Sequence, residues 1–473
     1  MTNFWDFNVW GGFFLVATLL VSLLLGNALK KNIPFLQESL IPTSVIGGLL
    51  LLIFSTAVNV ITGKDFFNMD IFGGNGYANL EIITYHALAL GFIASSFKAS
   101  DNKMTKERSV EIFNTGVTTV STYLIQAIFG LGIGLIVALI LTDFLPAAGV
   151  LLPFGYGQGT GQALNYGNIY ETEYGFVGGK SMGLTIAALG FLSAAIGGVI
   201  HLNILRRKGK IKVVKKSENM GIVETVEGEN EIPMQDSIDK MTVQLALIAV
   251  AYGIAFAMMY LLGLLLPGMK STIFGFNFLL GVLSTMLVKM AIKFLKKKNI
   301  VKKTYVNNFL MTRASNLFYD VMVVAGIAAI RLDLIENYWG VILILGGVGF
   351  VITYIYNRIV AHALFPHYEQ EQFLAMYGML TGTASTGIIL LREIDGEFKS
   401  PVSDNLVYQN LPAIVFGFPM MLLATLAATQ PILTFIILVA FFAVMNVILF
   451  RSKIFKRKKK AEQAQEQSTQ TAA

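Results

Sequence analysis

Eleven stretches of this sequence are long and apolar enough to cross a membrane, and that series constrains the fold more than any motif. A spanning helix needs roughly 20 mostly apolar residues. Runs of that kind lie near 9–27, 41–62, 79–97, 112–141, 176–204, 241–267, 272–293, 315–334, 340–361, 405–428 and 432–450. Only 14% of the residues are charged, against about 25% in a soluble domain. The fold class is therefore all-α and polytopic. The first run follows no basic segment and no clear cleavage site, so it reads as a retained span and not a signal peptide. With no cysteine in the chain, disulfides, iron–sulfur clusters and thiolate metal sites are excluded.

Two glycine-rich stretches interrupt the series in corresponding places. They are Gly157-Gln158-Gly159-Thr160-Gly161-Gln162-Ala163 and Gly378-Met379-Leu380-Thr381-Gly382-Thr383-Ala384, and they share the frame Gly-x-x-Thr-Gly-x-Ala. From Pro146 to Gly159 a helix descends roughly 20 Å at 1.5 Å per residue. That reaches the middle of a hydrocarbon core about 30 Å thick, but not its far side. The expected structure is a pair of re-entrant hairpins, near 143–172 and 370–396. Such non-helical backbone survives at membrane depth only where protein or a watery cavity satisfies its polar groups.

The Lys and Arg residues fix an orientation. Lys30 and Lys31, then Lys98, Lys103, Lys106 and Arg108, then the linker, then Lys293 to Arg313, and finally Arg451 to Lys460 fall on one side, which is the cytoplasm. The opposite loops are short or acidic, with Asp65, Asp70, Glu171, Glu173, Asp333 and Glu336. One assignment satisfies the whole chain only if each hairpin enters and leaves on the same side, the first from outside and the second from the cytoplasm. The N-terminus is then outside and the C-terminus inside. Residues 1–205 form a first repeat of five spans with a hairpin, and 241–428 form a second, inverted because five is odd. Residues 206–240 are a polar cytoplasmic linker, 429–450 an additional span, and 451–473 a tail that is basic and then disordered. Tyr85-His86 before Gly91, and Tyr319-Asp320 before Gly326, are a fainter echo between the halves.

The tips carry the expected chemistry. Half-helices that start there offer free N–H groups and a positive dipole end to a carboxylate. Half-helices that end there offer carbonyl oxygens to Na⁺. The candidate site residues are Gly157, Gln158, Gly159, Thr160, Gly161 and Gln162 in the first hairpin. In the second they are Gly378, Thr381, Gly382, Thr383, Ser385 and Thr386. The competing reading is that the small residues serve close helix packing. Asn316, Asp320 and His86 are candidates for an ion or proton site, since ionisable groups at membrane depth are costly. Arg331, Arg392 and Lys180 lie near helix ends and are expected to reach the interface. No metal-ligand spacing of the H-E-x-x-H type and no G-x-x-x-x-G-K-[ST] phosphate loop occurs, so neither an enzyme nor an ATP-driven pump is expected. The basic tail is expected to face membrane lipid, not nucleic acid.

Ile41-Pro42-Thr43-Ser44-Val45-Ile46-Gly47-Gly48-Leu49-Leu50, the first tip, Tyr174-Gly175-Phe176, Ile196-Gly197-Gly198 and Leu411-Pro412 together resemble the bacterial glutamate:sodium symporter family. That family shares its general plan with the 2-hydroxycarboxylate transporters. The resemblance implies two inverted five-span halves, a homodimer in the bacterial inner membrane, no cofactor, and glutamate uptake coupled to Na⁺. It transfers onto Gly157, Gly159, Thr160 and Gly161, and onto Gly378, Gly382 and Ala384. The family's first tip usually reads Gly-Gly-His-Gly-Thr-Gly, whereas Tyr156 and Gln158 stand here for the second Gly and the His. The expected function is Na⁺-driven symport of glutamate or a similar small carboxylate by alternating access. The alternatives are a Na⁺- or H⁺-coupled di- or hydroxycarboxylate transporter of the same fold, and a channel.

Overall fold

The computed structural model describes residues 3–98, 105–209, 231, 238–396 and 399–471. The first half runs through α1 (Phe7–Asn32), a short α2 (Pro34–Glu38), α3 (Thr43–Thr62), α4 (Gly76–Phe97) and α5 (Lys106–Ala138). Two helical turns, Pro146–Val150 and Pro153–Gly157, lead into α6 (Thr160–Tyr174) and α7 (Gly179–Arg207). The second half comprises α8 (Lys240–Leu265), α9 (Lys270–Gly275), α10 (Asn277–Lys297), α11 (Asn308–Ala328) and α12 (Trp339–Leu364). It continues through α13 (Glu369–Thr381), α14 (Ala384–Arg392), α15 (Val402–Tyr408), α16 (Asn410–Thr429) and α17 (Pro431–Thr471). Among the described residues there is no strand beyond one isolated bridge, Glu231 to Thr304. The chain is an all-α polytopic membrane protein.

Ten helical segments among the described residues are long and apolar enough to cross a membrane, not eleven. The difference is the run near 315–334. Its helix is α11, which starts earlier, stops at Ala328 and carries Arg313 and Asp320, so its polarity removes it from the apolar set. Burial explains how such a helix is tolerated. α11 packs on α4, α3, α6, α1, α7 and α8, so little of it needs to face lipid.

The helix α17 continues to Thr471. Lys, Ala, Glu and Gln are all good helix formers, so the polar segment can prolong the helix it follows. Most of the 206–240 linker, at 210–230 and 232–237, lies outside the described residues. The described Glu231 is tied to Lys240 by an ion pair of 2.7 Å.

The packing is reciprocal between the halves. α1 packs on α3 as α8 packs on α10, α3 on α11 as α10 on α4, and α5 on α16 as α12 on α7. Two pairs, α4 with α11 and α5 with α12, lie between corresponding helices of the two halves. The principal core gathers α5, residues 144–157, α6, α7, α11 and α12. Large apolar side chains such as Phe13, Leu24, Leu264, Ile344 and Ile432 point away from it, as lipid-facing surfaces do.

Candidate functional site where two broken helices meet

The first break begins with proline. Pro153 lacks the N–H that would continue the ladder, and Pro153–Gly157 forms a widened, π-type turn. The chain then passes through Gly159 at φ +81 and ψ −172 before α6 starts at Thr160. That backbone region is essentially glycine-only, so Gly159 is required by conformation. The second break is different. α13 ends at Thr381, Gly382 turns the chain at φ −149 and ψ −106, Thr383 is extended, and α14 starts at Ala384.

The two breaks touch. A Cβ on Gly159 would lie 3.4 Å from Thr383 Cγ2 and 3.5 Å from the Gly382 oxygen. The starts of α6 and α14 are therefore neighbours, and each presents main-chain N–H groups that its own helix leaves unpaired. The electrostatic result is a region of positive potential, suited to an anion. The ends of the preceding helical segments bring carbonyl oxygens to the same place.

Shared anchors hold the breaks together. Tyr156 Oη lies 2.8 Å from Ser193 Oγ and donates to the Gly346 oxygen at 2.6 Å. Tyr377 Oη donates to the Ser193 oxygen at 2.8 Å. One residue of α7 thus receives a tyrosine from each break, and each tyrosine immediately precedes the first glycine of its frame. The repeated pattern is longer than the glycine frame, reading Tyr-Gly-x-x-Thr-Gly-x-Ala. Tyr156 is fully buried and its hydroxyl is spent on packing partners.

The helix α5 reaches both breaks. Tyr123 Oη donates to the Gly157 oxygen at 3.1 Å. Gln126 Nε2 donates to the Leu380 oxygen at 3.0 Å and to Thr353 Oγ1 at 2.8 Å. Neither Gln126 nor Ser193 was singled out from sequence. A signal existed, because Thr122-Tyr123-Leu124-Ile125-Gln126 and Thr353-Tyr354-Ile355-Tyr356-Asn357 both read Thr-Tyr-x-x-amide.

Several candidate residues are occupied with packing. A Cβ on Gly161 would press on Leu88 of α4 at 2.8 Å, and one on Gly378 on the Gly387 Cα at 2.9 Å. Gly157 lies against the Tyr123 ring. The buried Thr160 hydroxyl points at the Met322 oxygen of α11, 3.4 Å away, and Thr381 bonds back to Tyr377. Other residues keep open faces. Ser385 is exposed, Gln158 and Thr383 are half-buried, and the Thr383 and Thr386 hydroxyls lie 3.4 Å apart. Gln162 is only 1% exposed, yet neither its amide oxygen nor its nitrogen has a partner.

The three ion or proton candidates are dispersed. Asp320 lies two residues from Met322, which Thr160 faces. Its residue is exposed, as is Asn316 one turn earlier. His86 is set apart, with Nδ1 2.7 Å from Tyr252 Oη of α8. In a helix the residue two positions on points the other way, and it is Leu88 that meets Gly161. The Tyr85 and Tyr319 echo is also unequal, since Tyr319 packs on Gly91 whereas Tyr85 bonds to the Phe274 oxygen.

Beside the middle of α6 lies a cavity of about 490 Å³ lined by Glu81, Tyr85, Asn165, Asn168, Lys180 and Lys270, among others. Lys180 is paired there with Glu81 at 2.9 Å and with Glu171 at 3.5 Å. Gln162, Asn165 and Asn168 follow at intervals of three along α6, so amides run from the tip toward the cavity. Arg331 pairs with Asp333. Among the described residues no group of three or more His, Cys, Asp or Glu is placed to hold a metal.

Broken helices that abut inside a bundle of apolar helices are the construction of a secondary transporter. The family model for the sodium/glutamate symporter matches residues 12–391, and the chain belongs to that family. The family is one of ion-coupled glutamate transport, and its members are transporters, not enzymes. No curated protein matches the chain.

Proposed function

We propose that the chain is a Na⁺-driven symporter of glutamate or a closely related small carboxylate, working by alternating access. The observation that carries this reading is the contact of Gly159 with Gly382 and Thr383, which brings two helix starts to one place. A substrate carboxylate would sit against the N–H groups at the starts of α6 and α14. Gln162, with both amide atoms unpartnered, supplies a donor and an acceptor to a zwitterionic amino acid. The carbonyl ends of Pro153–Gly157 and α13 favour the cation that accompanies it.

Residues 1–205 and 241–428 act as inverted repeats, supported by the reciprocal helix packing. The two hairpins are re-entrant. The charge pattern puts the cavity on the outer side of the tips, where the amides of α6 offer a route to them. The Asp320 carboxylate is exposed on a helix packed by neighbours on several sides, which suits a watery cleft better than lipid. Its roles in this reading are to face the substrate amine or the coupling ion. The membrane is the bacterial inner membrane, with the N-terminus outside and the assembly a homodimer.

Uptake of radiolabelled glutamate into proteoliposomes, with imposed Na⁺ or pH gradients, tests this directly. Concentrative uptake driven by inward Na⁺ is expected. Competition by aspartate, citrate and malate ranks the carboxylates. Uptake indifferent to both gradients would overturn the symporter reading, and H⁺-driven uptake would replace the ion.

A further inference from the structure

The helices fall into two bodies. In one, α4 packs on α1, α8, α10 and α11, and α11 packs on α3. In the other, α5, α7, α12, α13, α16 and α17 pack on one another around the breaks. The helix α6 belongs to the second body. It packs along α7, and its Tyr166 and Tyr170 hydroxyls donate to the Met421 and Ala424 oxygens of α16 at 2.8 and 2.9 Å. Its other flank meets α4, α9 and α11 of the first body, so a seam runs beside the first break.

The seam changes character along α6. Near the tip it is tight, with Gly161 against Leu88 and Gly326 against Thr160. Farther along it is polar and holds a void. The cavity of about 490 Å³ lies there, lined by Glu81 and Lys270 from one body and by Asn168 and Lys180 from the other. Polar contacts cross the seam around it. Lys180 Nζ lies 2.9 Å from Glu81 Oε2, Ser271 Oγ donates to Glu173 Oε1 at 2.5 Å, and Asn165 Nδ2 donates to the Gly275 oxygen at 3.2 Å. A void contributes no packing, so these contacts hold the stretch together.

Lys180 is placed so that its contact to Glu81 can break without stranding a charge. Glu171, on its own body, accepts from the Lys180 main-chain N–H at 3.2 Å and lies 3.5 Å from its ammonium. Parting the bodies would remove Glu81 and leave Glu171 in place. The side chains of Lys180 and Glu81 are 22% and 24% exposed, so water replaces the lost contact. A dry pair would instead leave an uncompensated charge on opening. The arrangement suits a contact made and broken repeatedly.

We infer that the Lys180–Glu81 pair is a latch between the two bodies, closed in this structure and broken when the first tip opens to the outside. Alternating access and the outward side of this flank rest on the proposed function; the latch itself rests on the seam. Lys180 is then a positioning residue. Held by Glu171, it sets the spacing of α6 from α4.

The chain has no cysteine, so introduced pairs can be joined without background. In proteoliposomes, Glu81→Cys with Lys180→Cys, joined by a bifunctional methanethiosulfonate, should lose uptake of radiolabelled glutamate, and dithiothreitol should restore it. Glu171→Cys with Lys180→Cys, joined inside one body, should keep its uptake on joining. Uptake that survives joining of the first pair, or stops equally in the second, would overturn the latch. Where the unjoined variants are inactive, labelling decides. Leu88 is 1% exposed and faces Gly161 across the seam, so an impermeant reagent reaches it from outside only when the bodies part. In right-side-out vesicles, Leu88→Cys should react about threefold faster once Glu81→Gln is added, a change that a part-exposed ion pair can hold. Adding Glu171→Gln instead should give no such rise. An equal rise with Glu171→Gln, or none with Glu81→Gln, would overturn the latch, and Na⁺-driven uptake would still leave the symporter standing. The expected rise alongside uptake indifferent to Na⁺ would keep the latch and sink that reading.

Discussion

The two breaks share a frame but are built for different work. The first is enclosed, with α6 running 15 residues and packing on α7, α4, α11 and α16. Its glycines let Leu88 and Tyr123 approach, its threonine is turned inward, and Gly159 alone meets a conformational demand. The second is open. The helix α14 runs only nine residues and packs chiefly on α13, while Ala384 and Ser385 stay exposed. Homologous letters thus give a rigid wall on one side and a presenting edge on the other. Close packing, the competing reading of the small residues, applies to Gly157, Gly161 and Gly378 without removing the site they frame.

Substituting the two glycines separates wall from edge most strongly. Gly159→Val puts a branched side chain into a glycine-only backbone region and against Thr383, and uptake should be abolished while the protein still inserts. Gly382→Ala puts a Cβ 2.9 Å from the Thr386 hydroxyl and 3.0 Å from the Phe191 ring, side chains that can shift, and should retain a measurable fraction of uptake. Equal loss in both would mean the breaks are conformationally alike after all.

Next in size is Gln162. If its unpartnered amide serves substrate, Gln162→Leu should raise the KM for glutamate about tenfold. If nothing binds there, the same change removes two unsatisfied atoms and should stabilise the protein with KM unchanged. The two outcomes are opposite in sign, which makes the variant decisive for the wall.

Accessibility sharpens the orientation. The chain has no cysteine, so single cysteines report alone. Gln158→Cys should react with an impermeant thiol reagent added outside, and Ser385→Cys with one added inside. A shared side would break the inverted arrangement. Met379 is too buried for this purpose, at 5% exposure.

The tyrosine anchors give a smaller effect. Tyr156→Phe and Tyr377→Phe should each cost about 1 kcal/mol of stability, read from thermal unfolding. Tyr156→Phe should be the worse, since its hydroxyl meets two partners and that of Tyr377 meets one.

The smallest effect lies at the start of α13. Burial pushes the Glu369 carboxyl up, but the His362 hydrogen bond and the Arg358 guanidinium outweigh it and hold it below the usual range. A lowered carboxylate value stabilises the fold above the unfolded pKa of about 4.3 and loses that contribution as pH falls through the folded value. Glu369→Gln should therefore lower the melting temperature slightly at pH 7, and by less as the pH approaches 4. A pH-independent difference would place the effect in packing.

Sequence alone was enough for the membrane class, for the two breaks and for their correspondence, because all three are written in local composition. Apolar runs of spanning length, proline and glycine that stop a helix, and a repeated frame need no partner to be read. The sodium/glutamate symporter family was legible from the motifs at 41–50 and 157–163. Among the described residues, the one run that the apolar helices do not match is α11, whose Arg313, Asn316 and Asp320 stay exposed while the rest of it packs on neighbouring helices. His86 was chosen for its chemistry, and only the packing of α4 shows it turned toward Tyr252, away from the tip. Tertiary structure alone decided that Gly159 meets Thr383, that Tyr156 is an anchor, and that Gln126 reaches the Leu380 oxygen. Such facts depend on which faces of distant helices come together, and that is settled by packing across roughly 230 residues of chain, not by the letters around each residue.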